Sequence, residues 1–530
     1  MNSLPEPYDD ENGQWRLPEQ FNFATDIVDY WARDPDKIAL VTVDEALQSK
    51  SWTFAEIARR SAQLANLLEA QGLQQGDRII VMLPRIAEWQ IAMTACLRMG
   101  AVPIPCITMQ TPKDLSYRAK HSGARGVITI AEECGKFGGL EKLDVKIAVG
   151  QGPRGWTDIA RSLEESEMHT AAHVAIEDPA TLYYTSGSTG EPKGVTHASR
   201  AIFVWASSAI HWLELTPDDR IWCTADTGWS KAGTSILFGP WSQGASVLFY
   251  DGPFDPAMRL KLLQEYDVTC FCAAATELRR LVHEDFTDID LGRLKSTVSA
   301  GESVNPEIVH RWRELTGTTV RDGYGQTETL MTVTNRSGWP IKPGAMGKAL
   351  PGVETAVREE DGSVTAVGAS GELVIKLPCP HLMLGYWNDT ERTAATQFES
   401  DGTSWYLTGD TVQIDEDGYI FYTGRADDII SSAGYRIGPQ EIENVLSAHP
   451  AVQECAVAGV PDPERGEVVK AWIILRNSED ASEALADELK TYVKQETAPY
   501  KYPRKIEFVE DLPKNASGKI LRRELRARDS

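Results

Sequence analysis

Hydrophobic positions in the first 250 residues alternate between helical and strand spacing. Thr53 and Glu56 form a capping-box pair ahead of apolar residues at helical spacing over residues 57–68, which predicts a helix that ends near Gly72. The apolar run over residues 78–83 then predicts a buried strand.

The same alternation continues along the chain. It predicts a helix over residues 89–99, and strands over 101–105, around Trp222, over 247–250 and over 297–299. Strands that alternate with helices favour a parallel sheet covered by helices. The predicted fold class is therefore α/β, with a large N-terminal domain of helix-covered sheets.

The pattern changes after about residue 345. Short strands between glycine-rich turns, as at 371–375 and 418–421, predict a small β-rich subdomain over about 345–424. We therefore expect an N-terminal domain over residues 1–424.

Residues 425–530 predict a compact α+β unit. A helix begins at Gly438-Pro439 and stops at His449-Pro450, and the remaining elements are strands near Val457, over 468–475 and over 506–509, with a helix over 484–493. We expect this unit to be a mobile C-terminal lid domain, joined to the rest of the chain near residues 424–428.

Charge and composition narrow the class of protein. The 530 residues include 53 Lys+Arg and 77 Asp+Glu, which gives a formal charge of −24, and 42% are hydrophobic. At about 150 residues per domain, this length corresponds to three or four domain-sized units with sizeable cores. The acidic balance argues against nucleic acid or an anionic membrane as a partner. Any polyanionic ligand must be held by local amides, Lys and Arg.

Neither membrane insertion nor export is expected. No apolar run reaches the ~18–20 residues of a membrane span. The acidic N-terminus resembles neither a secretory signal nor a transit peptide. The eight scattered cysteines are interpreted as buried reduced thiols, which fits a cytoplasmic location. We expect no metal site at Cys270 and Cys272 and no zinc site at His169 and His173.

The most informative motif is rich in glycine and hydroxyl residues and contains one lysine. It reads Tyr184-Thr185-Ser186-Gly187-Ser188-Thr189-Gly190-Glu191-Pro192-Lys193-Gly194. Glycines let backbone N–H groups approach a ligand closely, hydroxyl groups add donors, and Lys193 adds a positive charge. This composition suits a triphosphate. It is not a Walker loop, because Pro192 stands where the second glycine is required and no Ser or Thr follows Lys193.

Five further motifs follow this phosphate motif. They are Ser299-Ala300-Gly301-Glu302-Ser303, Asp322-Gly323-Tyr324-Gly325-Gln326-Thr327-Glu328, Tyr406-Leu407-Thr408-Gly409-Asp410, Gly424-Arg425-Ala426-Asp427-Asp428 and Asn515-Ala516-Ser517-Gly518-Lys519. From about residue 20 to its end, the chain resembles the adenylate-forming superfamily, which includes acyl-CoA synthetases, aryl-CoA ligases, luciferases and peptide-synthetase adenylation domains. Residues 225–229, 432–438 and 498–504 are most similar to the medium-chain acyl-CoA synthetases.

The resemblance implies a two-step reaction. A carboxylate attacks the α-phosphorus of ATP, pyrophosphate leaves, and the acyl-adenylate is then attacked by the thiol of coenzyme A. Because both partners of the first step are anions, the site must neutralise charge and align them.

The resemblance also implies roles for the nucleotide-binding residues. Residues 185–193 bind the β- and γ-phosphates, Thr327 donates its hydroxyl near the α-phosphate, and Glu328 binds Mg²⁺, a cation that prefers oxygen ligands. Tyr324 stacks on adenine, and Asp410 and Arg425 bind the ribose. The pocket is completed by Gly301, Glu302, Ser303, Asp322, Gly323, Gly325 and Gln326.

The C-terminal residues serve both steps in this comparison. Lys519 bridges the attacking carboxylate and the α-phosphate. The lid then rotates about a hinge at Asp427 and presents its opposite face to the cleft. Gly434 lines the pantetheine tunnel and Arg436 acts near the thioester. The remaining positions implied to contact coenzyme A are Ala433, Tyr435, Arg465, Lys494, Tyr502, Pro503 and Arg504. No residue is identified as a base for the thiol.

The acyl pocket is the least defined part of the site. Acetate-specific relatives place a tryptophan directly before Gln-Thr-Glu, whereas Gly325 leaves room here for a longer chain. Trp229 either forms a wall of this pocket or is an ordinary core aromatic. An apolar pocket discriminates each methylene by only ~1–3 kcal/mol. Medium straight chains, branched short chains and aromatic acids therefore remain open.

The expected function is an ATP-dependent acid:CoA ligase, with medium-chain fatty acids as its expected substrates. The alternatives are an acyl-AMP ligase that loads a carrier protein, an aryl- or branched-acid CoA ligase, and a non-catalytic nucleotide- or acyl-binding regulatory protein. The expected ligands are a small carboxylic acid, ATP, Mg²⁺ and coenzyme A, and the chain is expected to be a monomer or homodimer.

Overall fold

The structure of the chain is a computed structural model. It describes residues 6–140, 142–185, 191–302, 304–342, 344–425, 428, 430–432, 435–462, 465–497, 500–514 and 520–528, with residues 431, 435, 436 and 466 described for their backbone alone.

The largest sheet of the described residues has fifteen strands and joins parallel and antiparallel parts. In spatial order its strands are Val364–Thr365, Thr355–Arg358, Ala369–Lys376, Thr403–Ile414, Ile420–Arg425, Ala345–Ala349, Leu330–Thr334, Val320–Gln326, Ser296–Ala300, Cys270–Cys272, Arg220–Cys223, Ser246–Asp251, Ile38–Asp44 and Ser49–Thr53, and Gln397–Ser400 pairs with Thr403–Ile414. The strands from Val320–Gln326 to Ile38–Asp44 run parallel. This parallel part confirms the α/β class predicted from the alternating pattern.

Two smaller sheets lie in the first 400 residues. One is entirely parallel and contains Val102–Pro105, Arg78–Met82, Gly126–Ile130, Val145–Val149 and Thr157–Asp158. The other is antiparallel and contains Pro179–Thr185, Lys193–Ala198 and Gly385–Tyr386. A two-stranded hairpin, Tyr8–Asp9 with Gln14–Trp15, precedes them.

The C-terminal part has its own sheet. Its strands are Tyr435–Ile437, Ile430–Ser432, Gly466–Leu475 and Val452–Asp462, with Lys505–Phe508 parallel to Gly466–Leu475. Two helices, Pro439–Ser447 and Glu483–Glu496, pack with this sheet around a separate hydrophobic core. These elements confirm the predicted α+β unit.

The remaining helices cover the sheets of the first 400 residues or end the chain. They are Asp29–Trp31, Phe54–Ala70, Ala87–Arg98, Pro112–Ser122, Ser199–Ser208, Ser230–Ala232, Phe238–Ser242, Pro256–Glu265, Ala275–Leu281, Pro306–Thr316, Thr390–Ala394 and Arg522–Ala527. Short 3-10 or π segments are Ala24–Val28, Ala131–Phe137, Ile159–Glu164, Ala209–Leu213, Gly233–Leu237 and Ser478–Asp480.

Local signals in the sequence explain several of these helices. The side chain of Thr53 accepts the backbone N–H of Glu56, and Glu56 in turn accepts the backbone N–H of Thr53, so the predicted capping box is present. That helix ends at Ala70, and Gly72 follows it with φ +95°.

The predicted β-rich region is continuous with the large sheet. The strand Ala345–Ala349 pairs with Leu330–Thr334 on one side and with Ile420–Arg425 on the other. The region nevertheless packs around its own cluster, which includes Leu373 and Val412. The division at residue 424 therefore remains a proposal.

All eight cysteines are buried and free, which confirms the interpretation as buried thiols. In the described part of the chain, no helix is both long and apolar enough to cross a membrane.

Candidate active site

The phosphate motif connects two adjacent antiparallel strands. Thr185 ends the strand Pro179–Thr185, Lys193 begins the strand Lys193–Ala198, and the two residues are register partners. The hydroxyl of Tyr117 donates to the carbonyl of Pro192 across 3.0 Å. The two ends of the motif are therefore fixed by a sheet and by a helix.

Thr327 and Glu328 lie in the turn that follows the strand Val320–Gln326. Gly325 is required by this hairpin, because a Cβ at that position would overlap the carbonyl oxygen of Leu330. The geometry of the hairpin therefore explains by itself why a glycine stands at this position. The room that it leaves for a longer acyl chain remains a prediction.

Two side chains position Thr327. Its hydroxyl lies 3.1 Å from the hydroxyl of Ser230. Its carbonyl oxygen lies 2.6 Å from Nε2 of His197, which is fully buried. Since a carbonyl accepts, His197 donates from Nε2. Burial lowers the pKa of His197 to about 4, so the ring is neutral at pH 7.

Glu328 is held by Tyr386. The phenol hydroxyl donates to Oε1 of Glu328 across 3.0 Å, and the backbone N–H of Met383 donates to the carbonyl of Glu328 across 2.8 Å. Burial, followed by the negative charge of Glu328, raises the pKa of Tyr386. The ammonium of Lys193 lies 5.3 Å from the centre of the Tyr386 ring. The ring of Tyr386 therefore connects the phosphate motif with the predicted metal ligand.

These residues fit a magnesium site whose remaining ligands come from the phosphates of the substrate. Among the described residues, no group of three or more His, Cys, Asp or Glu side chains could hold a metal by itself. Mg²⁺ is usually held by one or two carboxylates together with substrate phosphates. Glu328, which forms no ion pair with a described residue, supplies such a carboxylate next to the phosphate motif.

Asp410 is a buried carboxylate held by several partners. Its side chain is 5% exposed. Its Oδ2 accepts the hydroxyl of Tyr324 at 2.6 Å and the side-chain amide of Gln326 at 2.5 Å, and its Oδ1 lies 3.4 Å from Arg425. The charge-assisted hydrogen bonds orient the carboxylate, and Arg425 balances its charge.

The ring of Tyr324 is more buried than expected for an aromatic ring that stacks freely on a base. Its ring belongs to a hydrophobic cluster with Val333, Met346 and Val412, and its hydroxyl is used by Asp410. Burial and the nearby Asp410 raise the pKa of Tyr324. The structure therefore shows Tyr324 as a support for Asp410, and stacking on adenine remains a prediction.

The segment after the strand Ser296–Ala300 lies next to a half-buried lysine. Lys231 donates to the carbonyl of Ala300 across 2.8 Å, and Gly301 follows with φ +99°. Glu302 accepts the backbone N–H of Thr276 at 2.7 Å. Burial raises the pKa of Asp322, on the adjacent strand, to about 7. Gly323 donates its backbone N–H to Oδ1 of Asp322 across 2.9 Å.

Trp229 stands directly before the helix Ser230–Ala232. It is half-buried and belongs to none of the hydrophobic clusters of the described residues. This placement argues against an ordinary core aromatic, and the role as a pocket wall remains a prediction. The preceding Gly228 lies against the backbone of Ile107, where a Cβ would overlap.

The structure brings part of the predicted coenzyme A site together. The ammonium of Lys494 lies 4.0 Å, and the guanidinium of Arg504 lies 5.1 Å, from the ring centre of Tyr502. Pro503, which stands between Tyr502 and Arg504 in the sequence, is buried. Arg465 is fixed by its backbone N–H, which donates to Asp462 across 3.0 Å. Near the predicted hinge, Asp428 forms ion pairs with Arg522 and Arg526.

Other predicted site residues lie outside the described residues. They are Ser186, Gly187, Ser188, Thr189, Gly190, Ser303, Asp427, Ala433, Gly434 and Lys519. Tyr435 and Arg436 are described as backbone of the strand Tyr435–Ile437. Their roles, and that of Glu191, remain predictions.

Three residues of the site were not identified from the sequence. They are His197, Ser230 and Tyr386, which contact Thr327 or Glu328. His197 follows the phosphate motif closely enough to suggest a supporting role, and Ser230 adjoins the singled-out Trp229. Tyr386 carried no local signal, because its contact with Glu328 joins distant parts of the chain.

The fold and this site define a class of protein. Residues 28–387 match the AMP-binding enzyme family, and residues 441–519 match the AMP-binding enzyme C-terminal domain. The chain belongs to the AMP-binding enzyme family, which confirms its membership of the adenylate-forming superfamily.

Individual relatives refine this placement. The human acyl-coenzyme A synthetase ACSM3, mitochondrial, is 40% identical over 541 residues, covering 97% of this chain and 90% of that protein. The uncharacterized acyl-CoA ligase YtcI of Bacillus subtilis (strain 168) is 39% identical over 516 residues, covering 97% of each chain.

Solved structures agree with the fold. The anthranilate CoA ligase AuaEII in complex with anthranoyl-AMP has a TM-score of 0.88 and 31% identity, covering 98% of this chain and 99% of that chain. ATP-bound MatB from Rhodopseudomonas palustris has a TM-score of 0.84 and 28% identity, covering 95% of this chain and 99% of that chain.

Proposed function

We propose that this protein is an AMP-forming carboxylic acid:CoA ligase. The observation that carries the proposal is the convergence of Lys193, Glu328 and Thr327 around the ring of Tyr386 and the imidazole of His197. Family membership and the named acyl-CoA synthetase and CoA ligase relatives support the same activity.

The first step requires a site that binds a triphosphate and a carboxylate together. Lys193 and the residues of the phosphate motif bind the β- and γ-phosphates, and Thr327 donates its hydroxyl near the α-phosphate. Glu328 would hold Mg²⁺, which neutralises phosphate charge when bound. Asp410, oriented by Tyr324 and already balanced by Arg425, accepts the ribose hydroxyls.

Lys519 supplies the remaining charge in this proposal. It bridges the attacking carboxylate and the α-phosphate, which lowers the repulsion between two anions as they meet. Pyrophosphate leaves, and the acyl-adenylate stays in the cleft.

The second step uses the lid, which we propose to comprise residues 425–530, after rotation about Asp427. Lys494, Arg504 and Arg465 then contact the nucleotide of coenzyme A, and the clustering of the first two around Tyr502 supports this assignment. Gly434 leaves space for the pantetheine chain, and Arg436 lies near the thioester. The acyl group passes to the thiol sulfur, and AMP leaves.

We propose a medium-chain fatty acid as the preferred substrate, which places the enzyme in lipid metabolism. The human relative ACSM3 belongs to the acyl-CoA synthetases whose motifs this chain resembles. An aromatic acid is the second candidate, because the similar structure of AuaEII holds anthranoyl-AMP. The half-buried Trp229 is suited to pack against either kind of acyl group.

The test is a panel of C2–C12 and aromatic acids with ATP, followed by measurement of AMP and pyrophosphate. We expect AMP only when an acid is present, and thioester only when coenzyme A is added. Formation of ADP and phosphate would contradict the proposal. Comparison of free coenzyme A with a phosphopantetheinylated carrier protein separates this activity from carrier loading.

The compartment remains a prediction. The sequence favours the cytoplasm, whereas the human relative ACSM3 is described as mitochondrial. Fractionation of the source cells, followed by detection of the protein, distinguishes the two.

A further inference from the structure

A cavity of about 410 Å³ lies beside the C-terminal end of the phosphate motif. Pockets of about 300–1,000 Å³ accept small ligands. The walls carry two cationic side chains, Lys193 and Arg392, together with His121, Glu191 and Asp389. The proposed ATP site uses Lys193 and Glu191 from this group, whereas His121, Asp389 and Arg392 have no role in it.

Neither cation is firmly neutralised by the protein. Lys193 forms no ion pair with a described residue. Arg392 lies 3.4 Å from Asp389, and this pair is partly exposed, at 42% and 36% of the two side chains. Exposed pairs of this kind contribute little free energy. Both cations therefore remain able to bind an anion that enters the cavity.

The cavity shares a wall with the proposed site of ATP. Tyr386 lines the cavity, and the hydroxyl of the same residue holds Glu328, the proposed metal ligand. Lys193 and Arg392 both lie near this ring, 5.3 Å and 6.0 Å from its centre. A phosphate group released near Lys193 thus has a second cation within reach.

We propose that this cavity receives the pyrophosphate that leaves after adenylation, with Arg392 as a ligand beyond the ATP site. The inference rests on the proposed function, because pyrophosphate arises here only if the chain forms acyl-adenylates. Guanidinium groups suit phosphate oxygens, which they contact with two parallel N–H groups. Glu191 and Asp389 in the same walls keep binding weak, which lets the product depart.

The phosphate ligand has two possible sources, the γ-phosphate of bound ATP and the freed pyrophosphate. Arg392→Gln separates them, because it removes the positive charge and keeps a polar side chain. We expect the inhibition constant of pyrophosphate to rise about five- to tenfold, as expected for a lost charge-assisted contact, with the KM for ATP unchanged. The control is Arg311→Gln, which removes an exposed arginine paired with Glu314 at 3.1 Å.

A second variant should strengthen the binding of pyrophosphate instead of weakening it. Asp389→Asn keeps a residue type that caps the helix Thr390–Ala394, where Asp389 accepts the backbone N–H of Arg392 at 3.0 Å. It removes the charge that competes for Arg392. We expect the inhibition constant of pyrophosphate to fall about two- to threefold, in line with the small energies of exposed pairs.

The outcomes distinguish this inference from the proposed function. If the KM for ATP rises in parallel in Arg392→Gln, the cavity holds only the γ-phosphate of ATP, and the inference is overturned. The inference is also overturned if neither the inhibition constant of pyrophosphate nor the KM for ATP changes. Acid-dependent AMP formation by the wild-type enzyme is measured in the same experiment. Its absence would reject the proposed function, whereas AMP formation without any dependence of pyrophosphate binding on Arg392 would reject the cavity alone.

Discussion

The hydroxyl of Tyr324 donates to Oδ2 of Asp410 across 2.6 Å, although 86 positions separate the two residues in sequence. Their strands, Val320–Gln326 and Thr403–Ile414, have three other strands between them in the sheet. In a flat sheet with strands about 4.8 Å apart, the two would be about 19 Å apart. The sheet must therefore curl, and this curvature brings the proposed ribose ligand back to the proposed ATP site.

Tyr324→Phe should weaken ATP binding while leaving the fold intact. The variant removes one of the hydrogen bonds that orient Asp410, and it leaves the hydrogen bond from Gln326 and the ion pair with Arg425. Because a hydrogen bond to a charged group contributes about 1.5–3 kcal/mol, we expect a rise of about tenfold in the KM for ATP, at the lower end of that range. Steady-state kinetics with saturating acid and coenzyme A measure it.

Tyr422→Phe is the matched control for this change. Tyr422 also lies near Asp410, and burial, followed by the charge of Asp410, raises the pKa of this phenol, but its hydroxyl donates no hydrogen bond to a described residue. Removal of the Tyr422 hydroxyl should therefore leave the KM for ATP unchanged. Equal effects of the two variants would show that a general loss of polarity, rather than the orientation of Asp410, sets ATP affinity.

Local patterns in the sequence predicted the elements well. The capping box at Thr53 and Glu56, the buried strand Arg78–Met82 and the C-terminal helix Glu483–Glu496 all lie close to their predicted positions. Each depends on residues within a few positions of one another, so the information is local. The motifs then identified the superfamily, and they predict most of the residues assigned to the proposed ATP site.

The contacts that assemble the site could not be predicted in the same way. His197 meets Thr327 across 130 positions, and Tyr386 meets Glu328 across 58 positions. Such contacts depend on strand order and on the curvature of the sheet, which no local pattern reveals. The predicted β-rich subdomain illustrates the same point, because its strands pair into the large sheet through Ala345–Ala349.

His197 is expected to act as a positioning residue for the turn that carries Thr327 and Glu328. His197→Ala leaves the carbonyl of Thr327 without its donor, and an unsatisfied buried carbonyl costs about 1–3 kcal/mol. If the same free energy is lost from the positioning of the turn in the transition state, kcat of adenylation should fall about tenfold or more. Acid-dependent pyrophosphate release measures this step.

The comparison variants for His197 separate positioning from general damage. His197→Gln keeps a side-chain N–H donor and should recover part of the lost kcat. His283→Ala removes an exposed histidine and should behave like the wild type. A loss in His197→Ala confined to thermal stability, with kcat of the folded enzyme unchanged, would contradict the positioning role.

Lys519 and Gly434 should affect different half-reactions. Lys519→Ala removes the charge that bridges two anions, so adenylation should be abolished, whereas ATP binding and thioester formation from preformed acyl-adenylate should be largely retained. Gly434→Leu should do the reverse, because a side chain would obstruct the pantetheine path. Single-turnover assays of each half-reaction measure both effects.

The control for Lys519→Ala is Lys505→Ala, which removes an exposed lysine from another part of the C-terminal domain. It should retain both half-reactions. Equal loss of ATP binding, adenylation and thioester formation in Lys519→Ala would indicate global damage and would remove the support for a specific role.

Two buried histidines should make the protein less stable in mild acid. Burial lowers the pKa of His197 to about 4, and burial with the nearby charge of Arg200 lowers that of His381 to about 3. An unfolded histidine titrates near pH 6.5, so the unfolded chain takes up these protons first as the pH falls. The stability that each neutral histidine contributes is therefore complete above about pH 6.5 and declines by up to about 1.4 kcal/mol per pH unit below it.

His381→Phe tests this pH dependence away from the active site. The ring of His381 is buried beside Trp15, and neither nitrogen has a hydrogen-bond partner among the described residues. Phenylalanine has a similar shape and no proton to take up, so stability at pH 7 should be unchanged or higher. The loss of stability between pH 7 and pH 5 should be smaller than in the wild type, as measured by urea unfolding. The exposed His283→Phe is the control, and an equal pH dependence in His381→Phe and the wild type would show that His381 does not titrate on unfolding in this range.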